Sequence, residues 1–250
     1  MRANGISSIV FGCTFGAVIV GIWCRSRLPD HHLDSESKDV VRIAMSLIAT
    51  MAALLLGLVV ASAKSGFDAQ DSAVRNIGAG ILTLDRTLAQ YGSETKQVRE
   101  LLRQAVAARL ESTWPSDGAP SAPAGNTAPA ENIEGRLLEL TPQNDAQRWL
   151  QSQALAIASD VLKTRWAAFS DAGSVVPTPF LVIVVFWLAV LFWSFGLFAP
   201  RNATVLSVLL LCAVSVAAAV FLILEMESPF TGVMKISSTP LRSALALLGQ

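Results

Sequence analysis

Long apolar stretches alternate with amphipathic and proline-rich stretches along this chain. Four of them carry no internal charge and approach or exceed the ~20 residues that an α-helix needs to cross ~30 Å of hydrocarbon. We predict that each forms a transmembrane helix. The four stretches are residues 6–23, 43–63, 180–199 and 203–224.

The segment between the second and third spans follows a different pattern. From Phe67 to Ala105, apolar residues recur in steps of three and four with no intervening proline, which predicts amphipathic helix over residues 64–113 with a heptad-like seam. Gly92, within "YGSET", predicts a break in this helix, with Ser93 as the new N-cap. The seam consists of Phe67, Val74, Ile77, Ile81, Leu84, Leu88, Tyr91, Val98, Leu102 and Ala105.

A proline- and alanine-rich stretch, residues 115–131, interrupts this segment and predicts a flexible linker. A second helix is expected to follow it, with Thr141 as N-cap and Pro142 in the first helical position. The two long amphipathic helices are then expected to project on one side of the membrane, as extensions of the second and third spans. The apolar stripe of the return helix is Leu150, Ala154, Ile157, Val161 and Ala168.

These patterns predict an all-α integral membrane protein with four transmembrane helices and a long two-helix extramembrane insert. Residues 1–63 would hold the first two spans, residues 64–178 the insert, and residues 179–250 the last two spans and a C-terminal tail. Four crossings put both termini and the insert on one side. Near the spans, seven Lys and Arg residues lie on that side and five on the other, which favours a cytoplasmic insert and cytoplasmic termini.

Composition supports the membrane class, since 52% of the residues are hydrophobic and only 15% are charged. The formal net charge of zero gives no sign of a nucleic-acid partner. Cys13, Cys24 and Cys212 lie in or beside apolar runs and are interpreted as small packing residues.

The second span carries the main candidate site. Small and weakly polar residues share one helical face, with a positive residue at each end, which favours an anion path. The same small residues, with Ala61, also fit a ridge against which another helix packs closely. At the level of sequence both interpretations stay open. The face contains Arg42, Ser46, Thr50, Ala53, Gly57, Val60 and Lys64.

Charged residues next to the spans form a second candidate group. Asp71 and Arg75 are four residues apart, which predicts a helix ion pair. Asp68 and Asp85 lie close to the seam and are interpreted as exposed, paired charges, with gate or register residues as the alternative if they are buried.

Glu225 and Glu227 end the fourth span. They are interpreted as water-accessible partners in interfacial ion pairs with Lys64, Arg75 or Lys235. The alternative is a role in an ion route, because carboxylates at membrane depth often mark one.

Metal, cofactor and catalytic sites are not expected. Asp30, His31, His32 and Asp34 are potential ligands, but adjacent histidines do not both face one ion, so a solvated loop is predicted. The sequence has no glycine-rich phosphate loop and no nucleophile elbow, and its spans contain no ionisable residue. We therefore expect a protein that is not an enzyme.

Four stretches resemble a bacterial bestrophin-like family of membrane proteins. They are "LPDHHLDSESKDVVRIAMSLIATMAALLLGLVVASAKSGFDAQ", "LTPQNDAQRWLQSQAL", "FLVIVVFWLAVLFWSFGLFAPRNATV" and "FLILEMESPFTGVMKISSTPLRSAL". Bestrophins are pentameric anion channels with four spans, a pore lined by the second span and a cytosolic helical domain. The chain departs from them in lacking a run of bulky Ile and Phe for a hydrophobic neck and an acidic calcium clasp.

The resemblance implies a homo-oligomer, a pentamer by analogy, in the bacterial inner membrane. Its partners would be membrane lipid and an inorganic anion. The expected function is an ion channel or passive transporter for anions. The competing hypothesis is a non-conducting membrane scaffold or sensor that acts through its helical stalk.

Overall fold

The computed structural model describes residues 2–27, 35–114, 128–170, 178–200, 202–230 and 232–249. A single turn of 3₁₀ helix, Ser93–Thr95, follows the second α-helix. The α-helices are α1 (Arg2–Arg25), α2 (Ser35–Tyr91), α3 (Lys96–Thr113), α4 (Ala128–Leu138), α5 (Asp145–Ser170), α6 (Thr178–Phe198), α7 (Ala203–Met226) and α8 (Thr239–Leu247).

Four of these helices, α1, α2, α6 and α7, are long and apolar enough to cross a membrane. Each contains one of the four stretches predicted from hydropathy, apart from residue 199 just after α6, so the all-α architecture with four candidate spans is confirmed. α2 is much longer than a bilayer requires, since it runs for 57 residues before it ends at Tyr91.

The break predicted at Gly92 is present. This residue has a φ of 136°, which residues other than glycine rarely adopt. Ser93, however, is not the N-cap of α3. That position belongs to Thr95, whose buried hydroxyl donates to the carbonyls of Leu88 (2.6 Å) and Gly92 (2.8 Å). The Thr95 hydroxyl therefore stabilises the turn and makes no capping hydrogen bond to the amides of α3.

Two predicted boundaries in the insert are wrong. α5 begins at Asp145, and its first turn is capped by Asn144, whose side-chain oxygen accepts from the Gln147 amide at 2.8 Å. Thr141 and Pro142 lie before this cap. α4 begins at Ala128, so the last residues of the predicted linker are helical, while residues 115–127 lie outside the described part of the chain.

The chain divides into two compact units. The first, here the membrane unit, comprises Met1–Gly66 and Ser174–Glu227, and the second, the insert unit, comprises Phe67–Gly173 and Ser228–Gln250. The C-terminal tail thus belongs with the insert helices. The division at residues 63 and 178, drawn from the sequence, stays a prediction about where the membrane ends.

In the membrane unit, α1 packs against both α6 and α7. A Cβ on Gly21 would overlap the carbonyl oxygen of Trp193, and a Cβ on Gly196 would overlap that of Val18. The backbones of α1 and α6 therefore touch, as close helix packing in membranes requires. The side chain of Arg25 donates to the Ala199 carbonyl, so the C-terminal ends of α1 and α6 lie together.

α2 packs on α7 within the same unit. Val59 and Ala63 are buried in a small cluster with Ile223, and Leu56 and Met226 lie at its edge. Within the span, Ile43, Leu47, Leu54 and Leu58 lie on other sides of α2 and are largely exposed, so they are available for lipid or further protein.

The insert unit is built around the predicted seam. Val74, Ile81 and Leu88 of α2 pack with Val98 and Leu102 of α3 in one buried cluster, which confirms that the seam is the core-facing side. Residues of α4, α5 and the tail join the same cluster. The insert unit therefore contains more helices than the two that the sequence predicts. Those additional members include Ile133, Leu137, Ala154, Ala158, Ile236, Leu241 and Leu248.

We predict that Gly21→Ala destabilises the membrane unit by about 1–3 kcal/mol, because the new methyl group has to force two helix backbones apart. Thermal unfolding of the purified protein in detergent measures this. Gly16→Ala is the matched control on the same helix, since nothing lies within 4 Å of a Cβ there. Equal melting temperatures for the two variants would contradict the close contact.

Candidate functional site

The candidate face of α2 is open in the chain. Ser46, Thr50, Ala53 and Gly57 are exposed, and no atom lies within 4 Å of a Cβ built on Gly57. The small-residue ridge therefore packs against nothing in the described part of its own chain. A packing role for these residues requires another copy or another protein.

A second exposed face of α2 lies beside this one and is made of large apolar side chains. Ile43, Leu47, Leu54 and Leu58 are each 63% exposed or more. At 100° per residue, these side chains centre roughly 95° from the small-residue face. The two faces differ in chemistry: one is a surface typical of lipid contact, and the other carries hydroxyls and charged ends.

The charged ends of the small-residue face are Arg42 and Lys64, about 33 Å apart along the axis at ~1.5 Å per residue. Arg42 lies 3.7 Å from Asp39, and both side chains are largely exposed, so water screens this pair. Lys64 is also exposed. The face thus spans the ~30 Å hydrocarbon thickness with a cation near each boundary.

The hydroxyls on the face are turned toward their own helix. Ser46 donates to the Ile43 carbonyl at 2.7 Å, and Thr50 donates to the Ser46 carbonyl at 2.9 Å. Their protons are therefore engaged, and their oxygens are left as acceptors. The positive charge on this face comes from its two ends and not from the hydroxyls between them.

The juxtamembrane charges have different environments. Asp71 and Arg75 form the predicted ion pair, and Asp68 is exposed. Asp85 is buried, at 2% exposure, so the expectation of an exposed charge is wrong there. It accepts two hydrogen bonds from Arg99, at 2.7 and 2.8 Å, across the turn between α2 and α3.

This bidentate pair is joined by the tail, because the Gly249 amide donates to Asp85 at 3.4 Å. The hydrogen bonds to Asp85 raise the pKa of Arg99 above its ordinary value. Hydrogen bonds to Asp85 thus connect α3 and the tail to α2. Neither Arg99 nor Gly249 was predicted from the sequence, and the available signal was the position of an aspartate on an apolar seam.

At the end of α7, Glu225 is 7% exposed and Glu227 is half-buried at the C-cap. Water therefore reaches Glu225 less than expected. Arg75, one of the proposed partners, is engaged by Asp71.

The potential ligands Asp30, His31, His32 and Asp34 lie outside the described residues. Within the described part of the chain, no group of three or more His, Cys, Asp or Glu side chains is arranged to hold a metal ion.

Comparison with known protein families shows to which family this four-span architecture belongs. The family model of the bestrophin-like domain matches residues 12–241. The chain belongs to the bestrophin-like family. Its apolar helices and this membership make it a multi-pass membrane protein.

Among solved structures, a point mutant of a bacterial bestrophin homologue from Klebsiella pneumoniae has a similar fold. The TM-score is 0.65 at 15% sequence identity, and the match covers 98% of this chain and 99% of that one. At this identity the bestrophin homologue supports the fold alone. No curated protein matches the chain.

We predict that Asp85→Ala costs about 3–5 kcal/mol, because it removes the buried carboxylate to which the partly buried Arg99 donates two hydrogen bonds. Chemical denaturation of the purified protein measures the loss. Glu100→Ala, which breaks the exposed pair with Arg103, is the matched control and should cost far less. An equal loss in the two variants would mean that the Asp85–Arg99 pair does not stabilise the insert unit.

Proposed function

We propose that this bestrophin-like protein is an ion channel that conducts inorganic anions passively as a homo-oligomer, with α2 lining the path. The observation that supports this most is the open face of α2, which combines small residues with a cation at each end. Membership of the bestrophin-like family supports the same reading, because bestrophins are anion channels lined by their second span.

The physical argument starts from the cost of moving an ion through hydrocarbon. A path has to replace lipid by water, and small side chains at Ala53 and Gly57 leave room for it. Arg42 and Lys64 raise the local anion concentration at the two mouths. Between the mouths the face has no ionisable residue that would bind an anion too tightly for conduction.

One α2 helix cannot enclose a path by itself, so the proposal requires several copies around an axis. The open small-residue face of each copy would line the path, and the pentamer of true bestrophins is the stoichiometry that the resemblance implies. We further propose that the protein lies in the bacterial inner membrane with its insert and termini in the cytoplasm. This orientation follows from the distribution of Lys and Arg near the spans.

The testing experiment is ion flux into liposomes that carry the purified protein. Chloride flux is expected to exceed potassium flux, and both are compared with empty liposomes. Neutralising the mouths by Arg42→Gln and Lys64→Gln should lower chloride flux severalfold, because each removes positive charge from an entrance. Arg86→Gln, an exposed arginine in the insert unit, is the control. Potassium flux equal to chloride flux would contradict anion conduction.

A second prediction separates conduction from packing. Gly57→Leu should leave the oligomer intact and reduce flux, because the added side chain narrows the path and its Cβ meets nothing within 4 Å in its own chain. Leu58→Met, on the adjacent apolar face, should change neither property. Size-exclusion chromatography and flux are measured on the same samples. Loss of the oligomer in Gly57→Leu would assign the residue to packing between copies.

The second candidate function is a non-conducting scaffold or sensor. It is favoured by the insert unit, which has its own hydrophobic core and exposes Trp149 (63%) and Leu138 (68%). Affinity capture of a defined partner that is lost in Trp149→Ala, together with no flux for any ion, would support it. Selective flux with no stable partner would exclude it.

A further inference from the structure

The C-terminal end of α1 carries an ordered cationic and aromatic group. The guanidinium of Arg27 lies over the Trp23 indole, 4.9 Å from the ring centroid. The chain turns here through two backbone hydrogen bonds, from Ser26 to Trp23 (3.1 Å) and from Arg27 to Cys24 (2.9 Å). Trp23 is 57% exposed, so the stacked pair lies on the surface of the membrane unit.

A second arginine, Arg25, lies on the opposite side of α1 from Trp23, because residues two apart on a helix are about 200° apart around its axis. Arg25 donates to the Ala199 carbonyl at the end of α6, which orders its side chain between the two helices. A guanidinium has five N–H donors, and this contact leaves others available. The two arginines therefore offer positive charge and hydrogen-bond donors at one end of the unit.

The group lies at the end of a lipid-facing surface. Ile9, Val20 and Trp23 fall on one exposed side of α1, and each is at least 50% exposed. An apolar helix surface that ends in tryptophan and then arginine matches the depth profile of a bilayer, in which hydrocarbon gives way to carbonyl groups and then to phosphates.

The described helices of this unit differ in where they carry acidic residues. Neither α1 nor α6 contains an aspartate or glutamate. Asp39, at the start of α2, lies within 4 Å of Arg42. In α7 the acidic residue within the helix is Glu225, at the opposite end from Ala203. A phosphate that approaches Arg27 along α1 meets no carboxylate on that helix or on α6.

We propose that Trp23 and Arg27 form a binding site for the headgroup of an anionic phospholipid, with Arg25 adding positive charge at the same end of α1. The acyl chain lies along Val20 and Ile9, the indole contacts the ester region, and the Arg27 guanidinium contacts the phosphate. Arg27, held over the indole, is the residue that distinguishes an anionic headgroup from a zwitterionic one. The site is independent of conduction, so its test stands apart from the flux experiments.

Native mass spectrometry of the detergent-purified full chain, titrated with dioleoyl-phosphatidylglycerol or dioleoyl-phosphatidylcholine, tests the site. The wild type should bind phosphatidylglycerol about fivefold more tightly, which is the contribution of one interfacial basic residue. Arg27→Gln should remove this preference, and Arg27→Lys should retain most of it because the charge remains. Arg86→Gln, far along the chain in the insert unit, should leave the preference unchanged.

Three results would overturn the proposal. The first is a wild type that binds both lipids equally, and the second is an Arg27→Gln variant with an unchanged preference. The third is a loss of preference in Arg86→Gln as large as that in Arg27→Gln, which would indicate diffuse attraction without a site. Melting temperatures in detergent without lipid are measured alongside. If Arg27→Gln melts lower and binds both lipids equally weakly, Arg27 only stabilises α1 and the site is rejected.

Discussion

The unbroken hydrogen-bond ladder of α2 is the constraint on which the rest of this structure depends. Between residues 30 and 114 the sequence contains no proline, so no backbone donor is lost until the helix ends. At ~1.5 Å per residue, its 57 residues extend for about 86 Å, nearly three times the thickness of the hydrocarbon. One helix therefore supplies the second span and the first wall of the insert core. It ends where Gly92 adopts a conformation that few other residues tolerate.

Periodic features of the sequence predicted much of this fold. Hydropathy located four spans, and the spacing from Phe67 to Ala105 located the core side of α2 and α3, because burial of one helical face imposes a repeat that sequence reading detects. The break at Gly92 was predictable because glycine is the usual residue at such a φ. The start of α5 was not predictable, because several residues near Thr141 are acceptable N-caps. The hydrogen bond from the Gln147 amide to the Asn144 side chain decides among them.

Features that depend on pairing across the chain were not predictable. Asp85 was noticed on the seam, but its partner Arg99 lies on another helix, and no repeat connects the two. The contact between Gly21 and Gly196 is of the same kind, because each residue alone is an ordinary glycine in an apolar run. For the small-residue face of α2 the sequence left packing and conduction open. In the structure this face packs against no other part of the described chain. A packing role would therefore need a second copy or another protein.

Different interactions stabilise each of the two units internally, and this explains why large side chains fill one core and close backbone contacts the other. In water, burial of large apolar side chains stabilises the fold, and the insert unit accordingly buries Leu88 and Leu137 almost completely. In lipid, the surroundings are as apolar as the protein, so large side chains gain little by leaving them. The membrane unit instead gains stability by bringing backbones together, which requires Gly21 and Gly196 at the crossing of α1 and α6. By the same reasoning, Gly57 is not needed for the fold of a single chain. The proposed oligomer gives its small size a role, because another group would face α2 there.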